Sequence, residues 1–427
     1  MMINPLSCGC LVVELQVLWV LLAALSCYGV AEYLYRLKRE DRAWGRRTPW
    51  LPKAVVLEPI REPGADFIDQ VRRLLNQNYP DYRVVIVADS FDDTGRQRLL
   101  DLLGLKAGAA PVLRLGRSDC PALAAISVSG LRSLDIMVAG VCMDCGQKVH
   151  NLLYALERCE ERDEVLAFVD ADALVAPDWL ERLVHPLSLP SAGVSTGYRW
   201  LVPTDGGFVD RLVSVMNASV ATLEGPPWRN SAWAGSMAVL RSNWAKFGLA
   251  QAWRGALNDD YQTSRVVIGQ GHDIVYASRV VPINNIAYNW RSFINFARRQ
   301  YIQQRICRPE IWIVAAFLTS AITAGWVTCL AGLISGEILF LVPLALVVSL
   351  DLIRARLRHR VMRSLFPEDI FEKLKPVLWL EYCGSFLYLA VHSVIIWSTM
   401  VGRTMTLCGI RYRINGRQST KVLGRMS

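Results

Sequence analysis

Apolar stretches at both ends of the chain enclose a central region with the hydrophobic spacing of a folded α/β domain. Residues 11–35 are almost continuously apolar, and this stretch exceeds the ~20 residues that a helix needs to cross a bilayer. Further apolar runs follow Pro309, over residues 311–335, 338–353 and 377–401. The pattern predicts one N-terminal and two to three or more C-terminal transmembrane helices.

The central region alternates short apolar runs with segments of helical spacing. Buried strands are predicted by the apolar runs at residues 53–57, 82–88 and 165–169. Helices are predicted over residues 67–76, 96–103 and 149–158. Such alternation is typical of a doubly wound, Rossmann-like sheet, which binds its ligands at the carboxyl ends of its strands.

The basic residues give the chain a formal net charge of +9, and they flank the apolar runs instead of covering one polar face. Clusters of Lys and Arg lie at residues 38–47 and 354–363. Basic residues beside spans mark the cytoplasmic side of a membrane protein. We therefore expect an integral, multi-pass membrane protein with its central domain in the cytoplasm, at the inner membrane if the source is bacterial. We expect no nucleic-acid partner.

These patterns divide the chain into five segments. An N-terminal transmembrane helix (1–37) precedes a cytoplasmic α/β domain (38–287), and an amphipathic helix on the membrane surface (288–310) follows. A C-terminal transmembrane region (311–402) leads to a basic cytoplasmic tail (403–427). The last apolar run leaves a conflict, because a full crossing would put the basic tail outside, whereas a re-entrant hairpin would keep it inside.

The eleven cysteines form no compact disulfide framework. Cys142 and Cys145 are a lone CxxC motif, which is a weak metal signal without a second pair or a nearby histidine. Because a reducing cytosol keeps thiols free, we predict two reduced thiols at these positions.

The sharpest local motif is Asp170-Ala171-Asp172, which directly follows the predicted strand at 165–169. Residues i and i+2 of an extended chain point to the same side, so both carboxylates can face one divalent cation. Oxygen ligands and substrate phosphates are the usual surroundings of Mg²⁺ or Mn²⁺. The alternative is a solvated acidic turn before Pro177. The preceding strand and the neighbouring motifs favour a metal site, with Asp172 as its main ligand and Asp170 beside it.

Two further acidic motifs are candidates for substrate contact. Asp89 ends the strand at 82–88 and can accept a hydrogen bond from the N–H of a uracil ring. Asn258-Asp259-Asp260 precedes a helical stretch at 261–268. One of its carboxylates can cap that helix, and the other can act as general base on an acceptor hydroxyl, since like charges side by side raise one pKa. By itself this motif is more often a capping pair.

Three other residues belong to the candidate site. Lys148 stands just before the predicted helix at 149–158, where it can contact a donor phosphate. Trp233 and Gly235 lie in the apolar stretch SAWAGSMAVL. The tryptophan can stack on a sugar, and the glycine permits close approach of the backbone to it. A packed strand explains this stretch equally well.

The order of these motifs resembles the family 2 inverting glycosyltransferases, and most closely their ceramide glucosyltransferase branch with its bacterial lipid-glycosylating relatives. NQNYPDYRVVIVAD is similar to the segment QxYPxxEVxxVxD of that family, and GQKVHNLLYAL resembles the helix with the phosphate-proximal lysine. FVDADALVAPDWLERLV resembles the strand that ends in the DxD motif, and ALNDDYQTSR resembles the motif that carries the catalytic base. VLEPI looks like the first strand, with Glu58 where a lysine is common.

The resemblance implies a GT-A type domain that holds a UDP-sugar. It implies donor-binding roles for Asp89, Lys148 and Asp170, metal binding by Asp172, and a catalytic base at Asp260 beside Asp259. The QxxRW motif of the family is not intact, because SFINF (292–296) stands in its place. Arg299 and Gln300, just after it, are the candidates to replace its donor contacts.

The function implied by this resemblance is transfer of a hexose from a UDP-sugar to a hydroxyl of a lipid in the bilayer. Ceramide-like lipids, diacylglycerol, and hopanoids or sterols are all open as acceptors. A processive polysaccharide synthase would need a polymer channel and an intact QxxRW motif, and neither is evident. A catalytically degenerate membrane scaffold is suggested by the altered motif and opposed by the retained acidic motifs.

Overall fold

The computed structural model describes residues 5–106 and 108–426. The first four residues of the predicted N-terminal segment and the last residue of the predicted tail lie outside the described residues. The strands are β1 (Ala54–Pro59), β2 (Tyr82–Ala88), β3 (Val112–Gly116), β4 (Leu131–Val138), β5 (Val165–Val169), β6 (Ala192–Thr196), β7 (Trp200–Pro203), β8 (Ser236–Leu240), β9 (Asp273–Tyr276), β10 (Ile283–Ile286), β11 (Thr404–Leu407), β12 (Ile410–Gly416) and β13 (Ser419–Arg425).

The α-helices are α1 (Pro5–Trp44), α2 (Phe67–Leu75), α3 (Thr94–Leu102), α4 (Pro121–Ile126), α5 (Gln147–Leu156), α6 (Trp179–Val184), α7 (Phe208–Ala221), α8 (Arg241–Lys246), α9 (Leu249–Trp253), α10 (Asp259–Gly269), α11 (Trp290–Cys307), α12 (Pro309–Ile334), α13 (Leu341–Leu365), α14 (Glu368–Leu374), α15 (Leu378–Cys383) and α16 (Ser385–Ser398). Each helix predicted in the central region is present, with its ends shifted by at most two residues.

A mixed eight-stranded sheet, in the order β3-β4-β2-β1-β5-β8-β6-β9, is the centre of the α/β region. β1 pairs in parallel with β2 and β5, and β2 pairs in parallel with β4. β3 and β8 run antiparallel to their neighbours. The predicted α/β class is confirmed, and β2 and β5 have their predicted bounds.

Both faces of the central strands are covered. Alternate side chains of a strand point to opposite faces, so Val56 and Val84 pack with α2 while Val55 and Val85 pack with α5. The helix α2 faces the sheet with an apolar stripe that includes Val71. Strands that are buried on both sides are mostly apolar, which explains the near-continuous apolar run YRVVIVA in β2, where Arg83 is the exception.

The chain forms two compact units. The helical unit comprises residues up to Asp41, Leu201–Leu223 and Ile286–Gly402, and the sheet unit comprises Arg42–Trp200, Glu224–Asn285 and Arg403–Ser427. The sequence pattern did not anticipate that α7, from the middle of the chain, groups with the apolar helices.

Three helices in the described part of the helical region are long and apolar enough to cross a membrane: Leu11–Trp44, Pro309–Ile334 and Ile338–Leu365. The predicted fourth run forms a broken pair, Glu368–Cys383 and Ser385–Ser398, with a bend of 90°. Within this unit, Arg358 donates to Glu381 at 2.6 Å, and Arg354 pairs with Asp351 at 2.8 Å. Charged side chains inside apolar segments are thus neutralised in pairs.

The C-terminal tail is folded as part of the sheet unit. β11, β12 and β13 form an antiparallel three-stranded sheet. Every second residue of β12 is buried, including Ile410, Tyr412 and Ile414. Arg411 and Arg413 occupy exposed alternate positions of this strand. Their charge makes the segment resemble a basic tail in the sequence.

A fully paired cluster of charges, which we call the paired cluster, lies towards the amino-terminal ends of the central strands. It consists of Arg83, Arg114, Arg132, Asp135, Glu160 and Asp163. Arg83 is buried and reaches Asp135 at 2.7 Å and Asp163 at 2.6 Å. Arg132 approaches the other oxygen of Asp163 at 2.9 Å. Within this set three cations face three carboxylates, and Asp81 beside Arg132 and Arg162 beside Glu160 add one charge of each sign, so the charges balance.

Candidate active site

A second group of charges, which we call the acidic cluster, lies at the carboxyl ends of the strands. It contains Glu58, Asp170, Asp172, Asp259 and Asp260, with Lys148 among them. Asp89 follows β2, and Asp170 follows β5, while β1 lies between these two strands. With strands about 4.8 Å apart, the two strand ends are roughly 10 Å from each other. The fold thus brings the predicted donor-binding aspartates to one edge of the sheet.

The DxD motif lies in the turn after β5. The backbone N–H of Asp170 donates to Gly235 O at 3.3 Å, which fixes the start of this turn. Asp172 is open to solvent and receives a hydrogen bond from the side chain of Asn284. Desolvation by the surrounding protein, and then the charge of Asp170, raise the pKa of the Asp172 carboxyl. The two carboxylates therefore repel each other, and a bound cation would relieve that repulsion.

Asp259 and Asp260 occupy the first turn of α10. Asn258 caps this helix, because its side-chain oxygen accepts from the N–H of Tyr261 at 3.0 Å. Asp260 Oδ1 accepts from the same N–H at 2.7 Å, and Asp259 Oδ1 accepts from the N–H of Asp260 at 3.1 Å. Asn258 and Asp260 therefore share the cap of α10, as the expectation of a capping aspartate allowed. Burial, and then the neighbouring Asp259, raise the pKa of Asp260 to about 7. A carboxyl with that pKa is suited to proton transfer near neutral pH.

Lys148 joins the two acidic motifs. Its Nζ lies 2.7 Å from Asp170 Oδ1 and 3.3 Å from Asp259 Oδ2. Burial alone would lower the pKa of Lys148, but the carboxylates of Asp170 and Asp259 raise it above its usual value. The lysine is consequently a fixed positive charge at the start of α5, where a phosphate group could replace one of its carboxylate partners.

Glu58 is a member of the acidic cluster whose role the sequence did not suggest. It is fully buried in β1, and its two carboxyl oxygens have no hydrogen-bond partner among the described residues. Burial raises the pKa of Glu58 well above its usual range, and Asp170 and Asp172 raise it further. The only signal in the sequence is a charged residue in the middle of an otherwise apolar strand.

Asp89 is buried and is bound by two arginines from distant parts of the chain. Arg61 forms an ion pair with its carboxylate, and Arg425 Nη1 lies 3.7 Å from Asp89 Oδ2. Arg61 also donates to the backbone oxygen of Cys408 at 2.8 Å. The C-terminal sheet thus reaches the predicted uracil-binding aspartate, and sequence spacing gave no signal for these contacts.

Trp233 and Gly235 lie beside the DxD turn. The Trp233 ring is 8% exposed and packs edge-on against Tyr198, with ring centroids 5.5 Å apart. A Cβ atom at position 235 would collide with the Trp233 ring and the Asp170 carboxylate. Gly235 is thus needed for packing within the protein. Sugar stacking by Trp233 stays a prediction.

Arg299 and Gln300 are on α11, which belongs to the helical unit. This helix begins with a capping box in which Asn289 and Ser292 bond each other reciprocally. The donor-binding roles predicted for Arg299 and Gln300 stay predictions.

The prediction of two reduced thiols at the CxxC motif is wrong for this structure, in which Cys142 and Cys145 form a disulfide. The assumption that no histidine is near also fails, because the ligand atoms of both cysteines and His150 lie within 4.8 Å of one another. His150 follows one helical turn after the motif on α5, which the sequence separation could have indicated.

The side chains of the acidic cluster fit a divalent cation. Five carboxyl groups are accompanied by Lys148 and, near Asp172, by Arg199, and the buried oxygens of Glu58 have no hydrogen-bond partner among the described residues. Oxygen donors of this kind suit Mg²⁺ or Mn²⁺ and leave room for phosphate oxygens. Metal binding by Asp172 and Asp170 stays a prediction.

Comparison with known proteins gives one family match. The sequence model "Glycosyl transferase family 21" matches residues 133–401. None of the curated proteins matches the sequence. A similar solved structure is "Mannosyltransferase PcManGT from Pyrobaculum calidifontis in complex with GDP-Man and Mn2+", which is 17% identical. The match covers 87% of this chain and 99% of that chain, with a TM-score of 0.46. Similarity at this level says nothing about the substrate or metal of this chain.

Proposed function

Because the chain belongs to glycosyl transferase family 21, we propose that it transfers a hexose from a UDP-sugar to a hydroxyl group of a membrane lipid. The observation that carries the proposal is the position of Lys148, which lies between Asp170 and Asp259 at 2.7 and 3.3 Å. This lysine places the carboxylate suited to the donor diphosphate next to the pair suited to the acceptor hydroxyl.

On the donor side, Asp89 accepts a hydrogen bond from the uracil ring at the end of β2. Lys148 contacts the diphosphate at the N-terminus of α5, where the helix dipole also favours anions. Asp170 and Asp172 hold Mg²⁺ or Mn²⁺. When bound, this ion offsets the negative charge that develops on the departing diphosphate.

On the acceptor side, Asp260 takes the proton from the attacking lipid hydroxyl. Its pKa of about 7 leaves a large fraction of the carboxylate ionised at neutral pH. The hydroxyl oxygen attacks the anomeric carbon from the face opposite the diphosphate, so an α-linked donor gives a β-glycoside. Asp259 is 2% exposed and acts by raising the pKa of Asp260 and by holding Lys148.

The lipid nature of the acceptor is supported by the three helices that can span a membrane and by membership of the family. An amphiphile can reach such an enzyme from the bilayer without leaving it. We place the sheet unit in the cytoplasm, since basic residues follow the first span directly.

Purified full-length protein in lipid nanodiscs, supplied with Mn²⁺, a total lipid extract and one radiolabelled UDP-hexose at a time, tests this function. We expect one labelled product that migrates as a lipid, and whose mass equals an acceptor lipid plus one hexose. The variant Asp260→Asn removes the base and should lower the rate by about 10²–10⁴. Asp101→Asn, the same chemical change at an exposed position of α3, is the matched control.

A polymeric product would contradict the proposal in favour of a polysaccharide synthase. Absence of transfer from every UDP-hexose, with no binding of UDP, would favour a scaffold. Full activity of Asp260→Asn would remove Asp260 from the role of base.

A further inference from the structure

The Cys142–Cys145 disulfide lies in the loop between β4 and α5. Both cysteines are buried, at 3% and 6% exposure, but Val141 and Met143 of the same loop are 57% and 64% exposed. A small opening of this surface loop therefore gives small molecules access to the sulfur atoms. Disulfides closed by a CxxC motif are typical of reversible exchange sites.

The disulfide loop is bonded to Arg425, which lies beside Asp89, the proposed uracil-binding residue. The N–H of Cys142 donates to Gln147 Oε1 at 3.0 Å, and Arg425 donates to both Cys142 O and Gln147 Oε1 at 2.7 Å. Arg425 is also the second arginine beside Asp89, at 3.7 Å. A shift of the loop would thus be transmitted to Asp89 through the side chain of Arg425.

The same loop is also bonded to the segment that precedes Asp260, the proposed catalytic base. Gly146 donates to Ala256 O at 2.9 Å, and a Cβ at position 146 would collide with the backbone of Leu257. The residues that follow Leu257 are those of the Asn258-Asp259-Asp260 motif. On the other side, Lys148 is three residues after Cys145. The disulfide thus closes a loop that is connected to Asp89 through Arg425, to the Asn258-Asp259-Asp260 motif through Ala256, and to Lys148 along the chain.

We propose that Cys142 and Cys145 form a thiol–disulfide exchange site that controls donor binding, a proposal that rests on the function proposed above. The disulfide form is the binding-competent state, because it holds the loop contacts to Arg425, Gln147 and Ala256. Reduction releases the loop and loosens the start of α5, and with it Lys148.

The reaction partner is a low-molecular-weight thiol or its disulfide. In oxidation, the thiolate of one cysteine attacks a sulfur of the small disulfide and displaces one small thiolate. The second cysteine then attacks the sulfur of the first cysteine in this mixed disulfide. This step closes the Cys142–Cys145 bond and displaces the second small thiolate. The two cysteines lose two electrons and two protons, and one small disulfide becomes two small thiols. Excess small thiol reverses both steps.

The test equilibrates the full-length protein in glutathione redox buffers from reducing to oxidising, followed by alkylation and peptide mass spectrometry. We expect the peptide with Cys142 and Cys145 to lose both free thiols together as the buffer becomes oxidising. We also expect hydrogen–deuterium exchange in residues 139–148 to rise on reduction by about fivefold or more, while exchange in α3 stays unchanged. Neither readout depends on donor binding or on transfer.

UDP binding in the two states tests the link to the site. The dissociation constant should rise by about fivefold or more on reduction, as is typical of coupled sites. The double variant Cys142→Ser with Cys145→Ser should bind UDP weakly in both buffers, whereas Cys383→Ser, which removes an exposed free thiol of the helical unit, should keep the redox response.

Three results would overturn the proposal: thiols that stay fully reduced or fully bonded in all buffers, equal exchange rates in both states, or equal UDP affinities in both states. Stoichiometric uptake of Zn²⁺ by the reduced protein that is lost in His150→Ala would also overturn it, because the residues would then form a metal site. If instead thiol titration and hydrogen exchange respond but UDP binds in neither state, the proposed function fails and the coupling to donor binding falls with it.

Discussion

The paired cluster and the acidic cluster lie towards opposite ends of the central strands and differ in how their charges are balanced. In the paired cluster three arginines face three carboxylates, and Arg83, Asp135 and Asp163 are almost fully buried. In the acidic cluster four aspartates, and Glu58 whose burial favours the protonated form, are accompanied by Lys148 and by Arg199 near Asp172. A buried charge without a partner is costly, so a protein that keeps a surplus of carboxylates must gain something from it. The surplus is the observation behind our proposal that a cation and a phosphorylated ligand complete the acidic cluster.

The largest effect is expected from breaking the paired cluster. Asp163→Asn leaves Arg83 with one ionised partner and should lower the free energy of unfolding by about 3–5 kcal/mol. Urea unfolding monitored by tryptophan fluorescence measures this change, with Asp101→Asn as the control. At temperatures where the variant stays folded, UDP affinity should be that of the wild type. A change in stability below about 1 kcal/mol would mean that the cluster is not the structural element described here.

The next effect concerns the lysine of the acidic cluster. Lys148→Gln removes the cation between Asp170 and Asp259 and should lower kcat/KM for transfer by about 10²–10³, as expected for the loss of one donor to a developing negative charge. Lys106→Gln, at an exposed position, is the matched control. The unfolding free energy should change far less than in Asp163→Asn. The opposite pattern, with stability lost and kcat/KM retained, would make Lys148 a structural residue.

The pH dependence of transfer follows from the raised pKa of Asp260. Below pH 7 the carboxyl holds its proton and cannot accept one from the acceptor, so kcat should fall about tenfold for each pH unit below 7 and level off above it. Initial rates at saturating donor and acceptor from pH 5 to 8.5 measure this limb. Rates that are flat between pH 5 and 7 would exclude Asp260 as the base.

The smallest effect is expected at Glu58. Its burial and the nearby Asp170 and Asp172 favour the protonated carboxyl, which an amide resembles in shape and charge. Glu58→Gln should therefore change both stability and the activation free energy by less than about 1 kcal/mol. Rates and urea unfolding measured side by side check this. A loss of tenfold or more in Mn²⁺ affinity would show instead that Glu58 is an ionised metal ligand.

The sequence predicted those parts of the molecule that depend on local pattern. The continuous apolar run of β2 and the run before Asp170 in β5 have their predicted bounds, because strands buried on both faces admit little else. The DxD turn directly after β5 and the acidic pair at the start of α10 are likewise local motifs.

Contacts between residues far apart in the chain could not be predicted from the sequence pattern. Asp89 meets Arg61 and Arg425, and the latter lies on a strand of the C-terminal sheet that reads as a basic tail. The side chains of Asn258 and Asp260 both accept from the N–H of Tyr261, a matter of geometry that residue type alone does not decide. The disulfide likewise depends on how the loop after β4 folds back onto Gln147.

Titration of UDP into the full-length protein, with and without Mn²⁺, tests most directly the claim that the surplus of carboxylates is a site for a cation and a diphosphate. We expect Mn²⁺ to strengthen UDP binding in the wild type and in Asp101→Asn, and we expect Asp172→Asn to abolish this strengthening. Equal UDP affinity with and without Mn²⁺ in the wild type, or an unchanged Mn²⁺ effect in Asp172→Asn, would contradict it.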